Sequence, residues 1–173
     1  DFQHLPVKSR FLASVFQSVT PRTAGFNTVD ITMMTEASKV VMILLMLIGG
    51  SPGSTAGGMK TTTFAVLLLN AVATFKSQEH AGAFGRRIDD QVIKNAASIA
   101  MLYFMMFLAG GIVISTAEGL PILGSLFEAA SAMGTVGLTL GITPSLHKIS
   151  LYVLILLMYM GRVGGLTLIY AVF

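Results

Sequence analysis

The sequence predicts an all-α, multi-pass membrane protein with a broken transmembrane helix. Three observations point there. Of the 173 residues, 54% are hydrophobic and only 11% are charged, against about 25% charged in a soluble domain. The charges are also unevenly placed: 40–59, 61–75, 95–117, 129–147, 149–161 and 163–173 carry none. Finally, there are 18 glycines, a density that in lipid marks close helix contacts or deliberately non-helical backbone. A water-soluble globule with such runs would lack the polar surface to cover itself, which excludes a soluble enzyme. The net charge of +3 is spread along the chain, so no basic patch suggests nucleic acid. With no cysteine, thiol chemistry and Cys-based metal sites are excluded.

A spanning helix needs about 20 apolar residues. Asn95 to Ala117 supplies them in one piece, with Gly110-Gly111 as a helix contact. The stretch from Ala37 to Phe75 reads differently. KVVMILLMLI gives about 15 Å of helix at 1.5 Å per residue. GGSPGSTAGGMK then breaks it, because Gly and Pro lack helix propensity, and TTTFAVLLLNAVATF follows. Neither half spans alone, so the spacing predicts one broken helix crossing the bilayer. Lys76 to Lys94 holds seven of the nineteen charges and reads as a solvated connector. Four of the seven are Lys or Arg, which favours the cytoplasm. Phe11 to Thr20 and Leu123 to Met133 are too short to span and read as re-entrant helices.

Each re-entrant segment is followed by a compact motif: Thr23-Ala24-Gly25-Phe26-Asn27 after the first, Thr135-Val136-Gly137-Leu138-Thr139 after the second. They are one repeat. At a shift of 112 residues Thr23 meets Thr135, Gly25 meets Gly137, and Ser38, Gly49, Gly53 and Thr55 meet identical residues downstream. Phe16-Gln17 and Phe127-Glu128 correspond if the second copy carries one extra residue. The unit is a short pore-type helix, a Thr-x-Gly turn and a helix with a Gly-rich interruption. Irregular backbone in lipid survives only when buried in protein or lining a wet cavity. Glycine lets successive carbonyls of such a turn point one way, and rings of carbonyls from four loops replace the hydration shell of potassium. Two copies supply half such a ring. The fold expectation is therefore helix–pore-loop–helix repeats of the potassium-channel-like type.

The phrases FQSVTPRTAGFNTVD, GGSPGSTAGGMKTTT, FEAASAMGTVGLT and MYMGRVGGLT resemble the membrane subunit of Ktr-type potassium transporters (KtrB-like), in the Trk/Ktr/HKT superfamily. The resemblance implies four helix–pore-loop–helix repeats around one pore, each giving one filter glycine. Gly25 and Gly137 would be those of repeats three and four. K+ would sit at the backbone carbonyls of Thr23, Ala24, Gly25, Thr135, Val136 and Gly137. The stretch Gly49, Gly50, Ser51, Pro52, Gly53, Ser54, Thr55, Ala56, Gly57, Gly58, Met59 and Lys60 would gate the pore beneath the filter, and Arg162 matches the family's basic residue in the last helix. Residues 1–75 would then be a partial third repeat, 76–94 a cytoplasmic linker and 95–173 the fourth repeat. The chain would lack repeats one and two and the first helix of repeat three, and would end inside repeat four. The implied setting is the plasma (inner) membrane, a homodimer, and a cytosolic nucleotide-binding RCK (KTN) ring, with Na+ as a coupling ion. No organic cofactor is implied.

Blander readings stand beside these. Gly25 and Gly137 would otherwise be ordinary turn glycines, and GGSPGSTAGGMK a packing kink. A phosphate-binding loop G-x-x-x-x-G-K-[ST] is nearly matched from Gly53, but Met59 intervenes before Lys60 and no strand precedes it. Arg162 lies thirteen uncharged residues beyond Lys148. A mid-bilayer charge costs about 2.5–3.5 kcal/mol on insertion scales, so a partner is expected: either it bonds carbonyls of the Gly49–Lys60 loop and holds a closed state, or it makes a purely structural pairing with a helix end. Glu128 and Arg22 either tune ion attraction or pair with nearby backbone. His4, His80 and His147 read as solvated. The sequence predicts no enzyme, since no triad, carboxylate pair or metal-ligand cluster occurs. The alternative to transport is a helical membrane scaffold whose glycines serve packing.

Overall fold

The computed structural model describes residues 6–54 and 56–163. Within them the regular secondary structure is helical apart from one small hairpin and an isolated parallel bridge between Ile48 and Met59, with irregular segments between the helices. The elements are α1 (Val7–Val19), α2 (Glu36–Leu47), α3 (Thr61–Phe75), β1 (Gly82–Ala83), β2 (Arg86–Arg87), α4 (Asp90–Glu118), α5 (Ile122–Met133) and α6 (Lys148–Val163), with a short 3-10 turn at Thr143–Ser145. Thr55 of the Gly-rich loop and residues 164–173 of the last apolar run lie outside the described residues.

Local chemistry sets the boundaries. Thr35 caps α2 by accepting the Ser38 N–H at 3.3 Å, and Glu36 stands in the first turn, where a negative charge meets the positive helix end. The helix stops at Leu47, just before Gly49-Gly50 and Pro52, and resumes as α3 at Thr61. Asp89 caps α4 through the Gln91 N–H at 3.1 Å, and Gly119 at φ +65° ends it. At 29 residues α4 is, among the described residues, the one helix long and apolar enough to cross a membrane. It starts five residues earlier than the uncharged run, because Asp89 supplies the cap.

The connector is more structured than its composition suggests. Its strands pair antiparallel, Gly82 with Arg87 and Ala83 with Arg86, across a two-residue turn. Phe84 at φ +51° and Gly85 at φ +75° give this turn the primed geometry that suits a tight hairpin. The hairpin folds back on α3, the Gln78 N–H donating to the Ala73 carbonyl at 2.9 Å.

The centre of the molecule is α5, buried almost throughout from Ser125 to Met133 and packed by α2, α4 and α6. Met42, Met46, Phe107, Ile114, Phe127, Met133, Leu154 and Leu157 fill the core around it. Glycines let the helices approach. A methyl on Gly110 would stand 2.6 Å from Leu157 Cδ1, and one on Gly111 would overlap Leu126, so the predicted Gly-Gly contact is real.

A polar clamp closes the corner between α4 and α6. The Glu118 carboxylate, 5% exposed, accepts the His147 N–H at 2.8 Å and the Ser150 hydroxyl, and its second oxygen lies 2.7 Å from His147 Nδ1. His147 is exposed but tied to this clamp, so its reading as merely solvated is corrected. The signal was missed because Glu118 lies 29 residues away in sequence. Ser150→Ala is expected to lower stability by about 1–2 kcal/mol, since a fully buried hydroxyl is lost from a charged acceptor. Thermal unfolding of the purified protein in detergent checks this, and an unchanged midpoint counts against it.

Candidate ion pathway and gate

The C-terminal ends of α1 and α5, which carry the negative ends of their dipoles, lead into the two Thr-x-Gly motifs. The turns share one backbone signature. Thr23 and Thr135 have φ of +66° and +50°, and Gly25 and Gly137 have φ of +72° and +90°. Glycine adopts this region freely, but a β-branched threonine there is a genuine outlier. Strain of this kind is tolerated where surrounding bonds over-determine it, typically at functional sites.

Those bonds are present. After α1, the Ala24 and Gly25 N–H groups both reach the Thr20 carbonyl, at 3.1 and 3.3 Å, and the Thr20 hydroxyl donates to the Phe26 carbonyl at 2.6 Å. After α5, the Thr135 N–H reaches the Ala132 carbonyl at 3.0 Å and the Val136 N–H reaches Ser131 at 2.9 Å. The two turns face each other directly. The Thr23 hydroxyl donates to the Gly134 carbonyl at 3.2 Å. A methyl on Gly25 would overlap the Val136 carbonyl oxygen, with Gly137 Cα 3.6 Å away. The Thr23 and Thr135 hydroxyls both make contacts within the protein. Leu138 is buried, whereas Ala24, Phe26, Asn27 and Gly137 are exposed.

The Gly-rich segment lies against these turns. Its ends are zipped together: the Gly49 N–H donates to the Met59 carbonyl at 2.8 Å, Met59 to Leu47 at 3.2 Å and Thr61 to Gly50 at 3.2 Å. Lys60 Nζ turns back onto the Ala56 and Ser54 carbonyls, at 2.7 and 3.3 Å. Ser51, Pro52, Gly53 and Ser54 form an exposed tip, while Gly57 and Gly58 are buried. The Gly57 N–H donates to Thr135 Oγ1 at 3.1 Å, and the Gly58 N–H donates to the Gly161 carbonyl of α6 at 3.2 Å.

Basic residues flank the segment on two sides. Arg22 Nη1 reaches the Gly49 carbonyl at 3.4 Å, so of the two readings of Arg22 the backbone pairing is the one seen. Arg162 is exposed on α6, next to the Gly161 carbonyl that holds Gly58. Glu128 also pairs locally. Its carboxylate accepts from Thr139, Leu140 and Thr143.

Comparison with known proteins decides the family. The profile of the TrkH family, described as cation transport proteins, matches residues 1–173. This chain belongs to the TrkH family. It is 39% identical over 168 residues to the Ktr system potassium uptake protein B of Bacillus subtilis, covering 97% of the chain and 38% of that protein. It is 41% identical over 166 residues to the potassium/sodium uptake protein NtpJ of Enterococcus hirae, covering 94% of the chain and 37% of the relative. The fold matches the crystal structure of the potassium transporter TrkH from Vibrio parahaemolyticus with a TM-score of 0.82 at 24% identity, over 98% of the chain and 38% of that structure. The TrkH-family chain thus spans well under half the length of these relatives. Its relatives are cation transporters, not enzymes, and the family setting is a membrane.

Proposed function

We propose that this TrkH-family chain forms part of a potassium-uptake pathway across the plasma membrane, as two of the four quarters of a carbonyl-lined filter with its gate. The observation that carries the reading is the pair of Thr-x-Gly turns, alike in backbone and placed face to face at the ends of two helix dipoles, with the Gly-rich loop bonded to one of them. On this reading the cation meets the carbonyls of Thr23, Ala24, Gly25, Thr135, Val136 and Gly137, flanked by Phe26-Asn27 and Leu138-Thr139. The loop from Gly49 to Lys60 lies beneath as the gate, with Arg162 beside it favouring the closed state. Relatives named for potassium and for potassium/sodium uptake support K+ as the cargo and Na+ as the coupling or competing ion.

The architecture that goes with it is multi-pass helix–pore-loop–helix repeats: 1–75 and 95–173 as partial and fourth repeats, 76–94 as the cytoplasmic linker. A homodimer on a nucleotide-binding RCK ring completes the assembly. The test is Rb+ uptake into proteoliposomes holding the full-length transporter. Absence of uptake would leave the scaffold reading standing. Thr135→Val removes the acceptor of the Gly57 N–H while keeping side-chain shape. Losing one hydrogen bond of about 1 kcal/mol shifts a two-state gate about fivefold, so uptake below saturation is expected to rise by about that factor. A fall instead would assign the hydroxyl to the filter and not to the gate.

A further inference from the structure

The segments that follow the two turns are fastened very differently. After Gly137 the anchor is Glu128 of α5, 4% exposed. Its Oε1 accepts the Thr139 hydroxyl at 2.7 Å and the Leu140 N–H at 2.9 Å, and its Oε2 accepts the Thr143 hydroxyl at 2.8 Å. The threonines also meet each other at 3.0 Å, and Thr139 Oγ1 accepts the Gly141 N–H at 2.9 Å. One carboxylate therefore ties the pore-type helix to the five residues that begin two positions past Gly137. In the first copy the counterpart is Gln17, buried to the same degree at 5% exposed. Its Nε2 reaches only Met42 Sδ at 4.0 Å, and its Oε1 has no partner among the described residues. Among the described residues the segment after Gly25 is held instead by the Thr20 bond to Phe26 and, further on, by the buried Ile31 side chain.

Packing holds the flanks of Gly137, since Val136 and Leu138 are buried in the core, but it does not enclose the glycine itself. A cavity of about 250 Å³ lies behind it, lined by Glu128, Thr135, Gly137, Leu138 and Thr143 among others. A methyl on Gly137 would find its nearest neighbour, Gly25 Cα, 4.0 Å away. Leu138 fixes the backbone directly after this glycine on the core side, and the Glu128 bonds fix the segment beyond it. A fully satisfied buried polar network supplies such rigidity.

We propose that Glu128 is a positioning residue for cation discrimination. It fixes Thr139–Thr143, and through them the carbonyls from Thr135 to Gly137, so that the second turn is the stiff side of the filter and the Gln17 turn the yielding one. This rests on the filter reading above.

Competition between Rb+ and Na+ for uptake by the reconstituted full-length transporter tests it. Glu128→Ala leaves two hydroxyls and an N–H without their acceptor. The Rb+ over Na+ preference is expected to fall about tenfold and the Rb+ KM to rise, with maximal rate little changed. Glu128→Gln keeps an oxygen for Thr139 and Leu140 and offers its amide to Thr143, so it is expected to restore the preference to within about twofold of wild type. Gln17→Ala is expected to leave the preference within about twofold. Should the alanine variant fail to assemble, Thr143→Val removes the Thr143 contacts to Glu128 and Thr139 while leaving the Glu128 bonds to Thr139 and Leu140, and gives a partial fall. Unchanged preference in the assembled alanine or Thr143→Val variant overturns the proposal. Failure of glutamine to restore also overturns it, since charge and not fastening would then be at work. A wild-type protein that carries no Rb+ overturns the filter reading itself, which keeps the two failures apart.

Discussion

Gly25→Ala is expected to reduce uptake at least a hundredfold in the full-length transporter while the protein still reaches the membrane. Two costs coincide at this position. The added methyl would overlap the Val136 carbonyl oxygen, with the Val136 carbonyl carbon at 3.4 Å and Gly137 Cα at 3.6 Å. All three neighbours are backbone of the opposing turn, so no side chain can swing aside. The backbone also sits at φ +72°, where an L-residue pays about 1–2 kcal/mol. Overpacking adds about 1–3 kcal/mol. The strain is relieved by pushing apart the two turns that would share the cation. Gly137→Ala bears the conformational cost of its φ of +90°, and among the described residues of this chain nothing comes nearer than 4.0 Å. The ordering is therefore specific: Gly25→Ala is the more damaging of the two in Rb+ uptake. Equal or reversed effects would sink the face-to-face arrangement, and wild-type uptake in both would sink the filter assignment.

The second large effect is expected at Gly161. A methyl there would overlap the Met133 carbonyl oxygen, with the carbonyl carbon at 2.8 Å and Cα at 3.2 Å. Helix α6 lies so close to the end of α5 that only a hydrogen fits between them. Gly161→Ala is expected to cost at least about 3 kcal/mol, the upper end of overpacking penalties, read as a lowered thermal midpoint. Gly110→Ala is the matched comparison. Its nearest neighbour is the Leu157 side chain at 2.6 Å, which can change rotamer, so its midpoint should fall much less. Gly161 has a second role, because its carbonyl accepts the Gly58 N–H. Displacing α6 therefore loosens the Gly-rich loop as well. A variant as stable as wild type would show that α6 does not pack on α5 as described.

Much of this architecture was legible because its causes are local. The break between α2 and α3 follows from Gly49-Gly50, Pro52 and Gly53, and the limits of α5 from Pro121 and Gly134. The two Thr-x-Gly turns declared themselves by repetition, and the structure gives them matching signs of φ. What escaped the sequence reading depends on partners distant in the chain. Nothing in the spacing places Arg22 on the Gly49 carbonyl, 27 residues on, whereas Arg162 stands out in the sequence as the charge stranded in an apolar run. The threonines at positive φ were equally hidden, since β-branched residues argue against that region. Gln17 and Glu128 were paired in the alignment of the two copies, yet only coordinates reveal that one is satisfied three times over and the other leaves an oxygen without a partner. The hairpin at Phe84-Gly85 escaped because strands of two residues leave no alternation to read.

The zipped base of the Gly-rich loop has a consequence for whatever controls it. Bonds among Leu47, Gly49, Gly50, Met59 and Thr61 join the loop to its own flanks and need not break for it to swing. The hydrogen bonds described from the loop to other elements are Gly57 to Thr135, Gly58 to Gly161 and Arg22 to Gly49. At about 0.5–1.5 kcal/mol each, these amount to about 1.5–4.5 kcal/mol, below the roughly 5.5 kcal/mol that carries a two-state element from 1:99 to 99:1. A regulator would then act as a light hand on a nearly balanced lever. A modest difference in its grip on the two positions suffices, and no strong clamp is required.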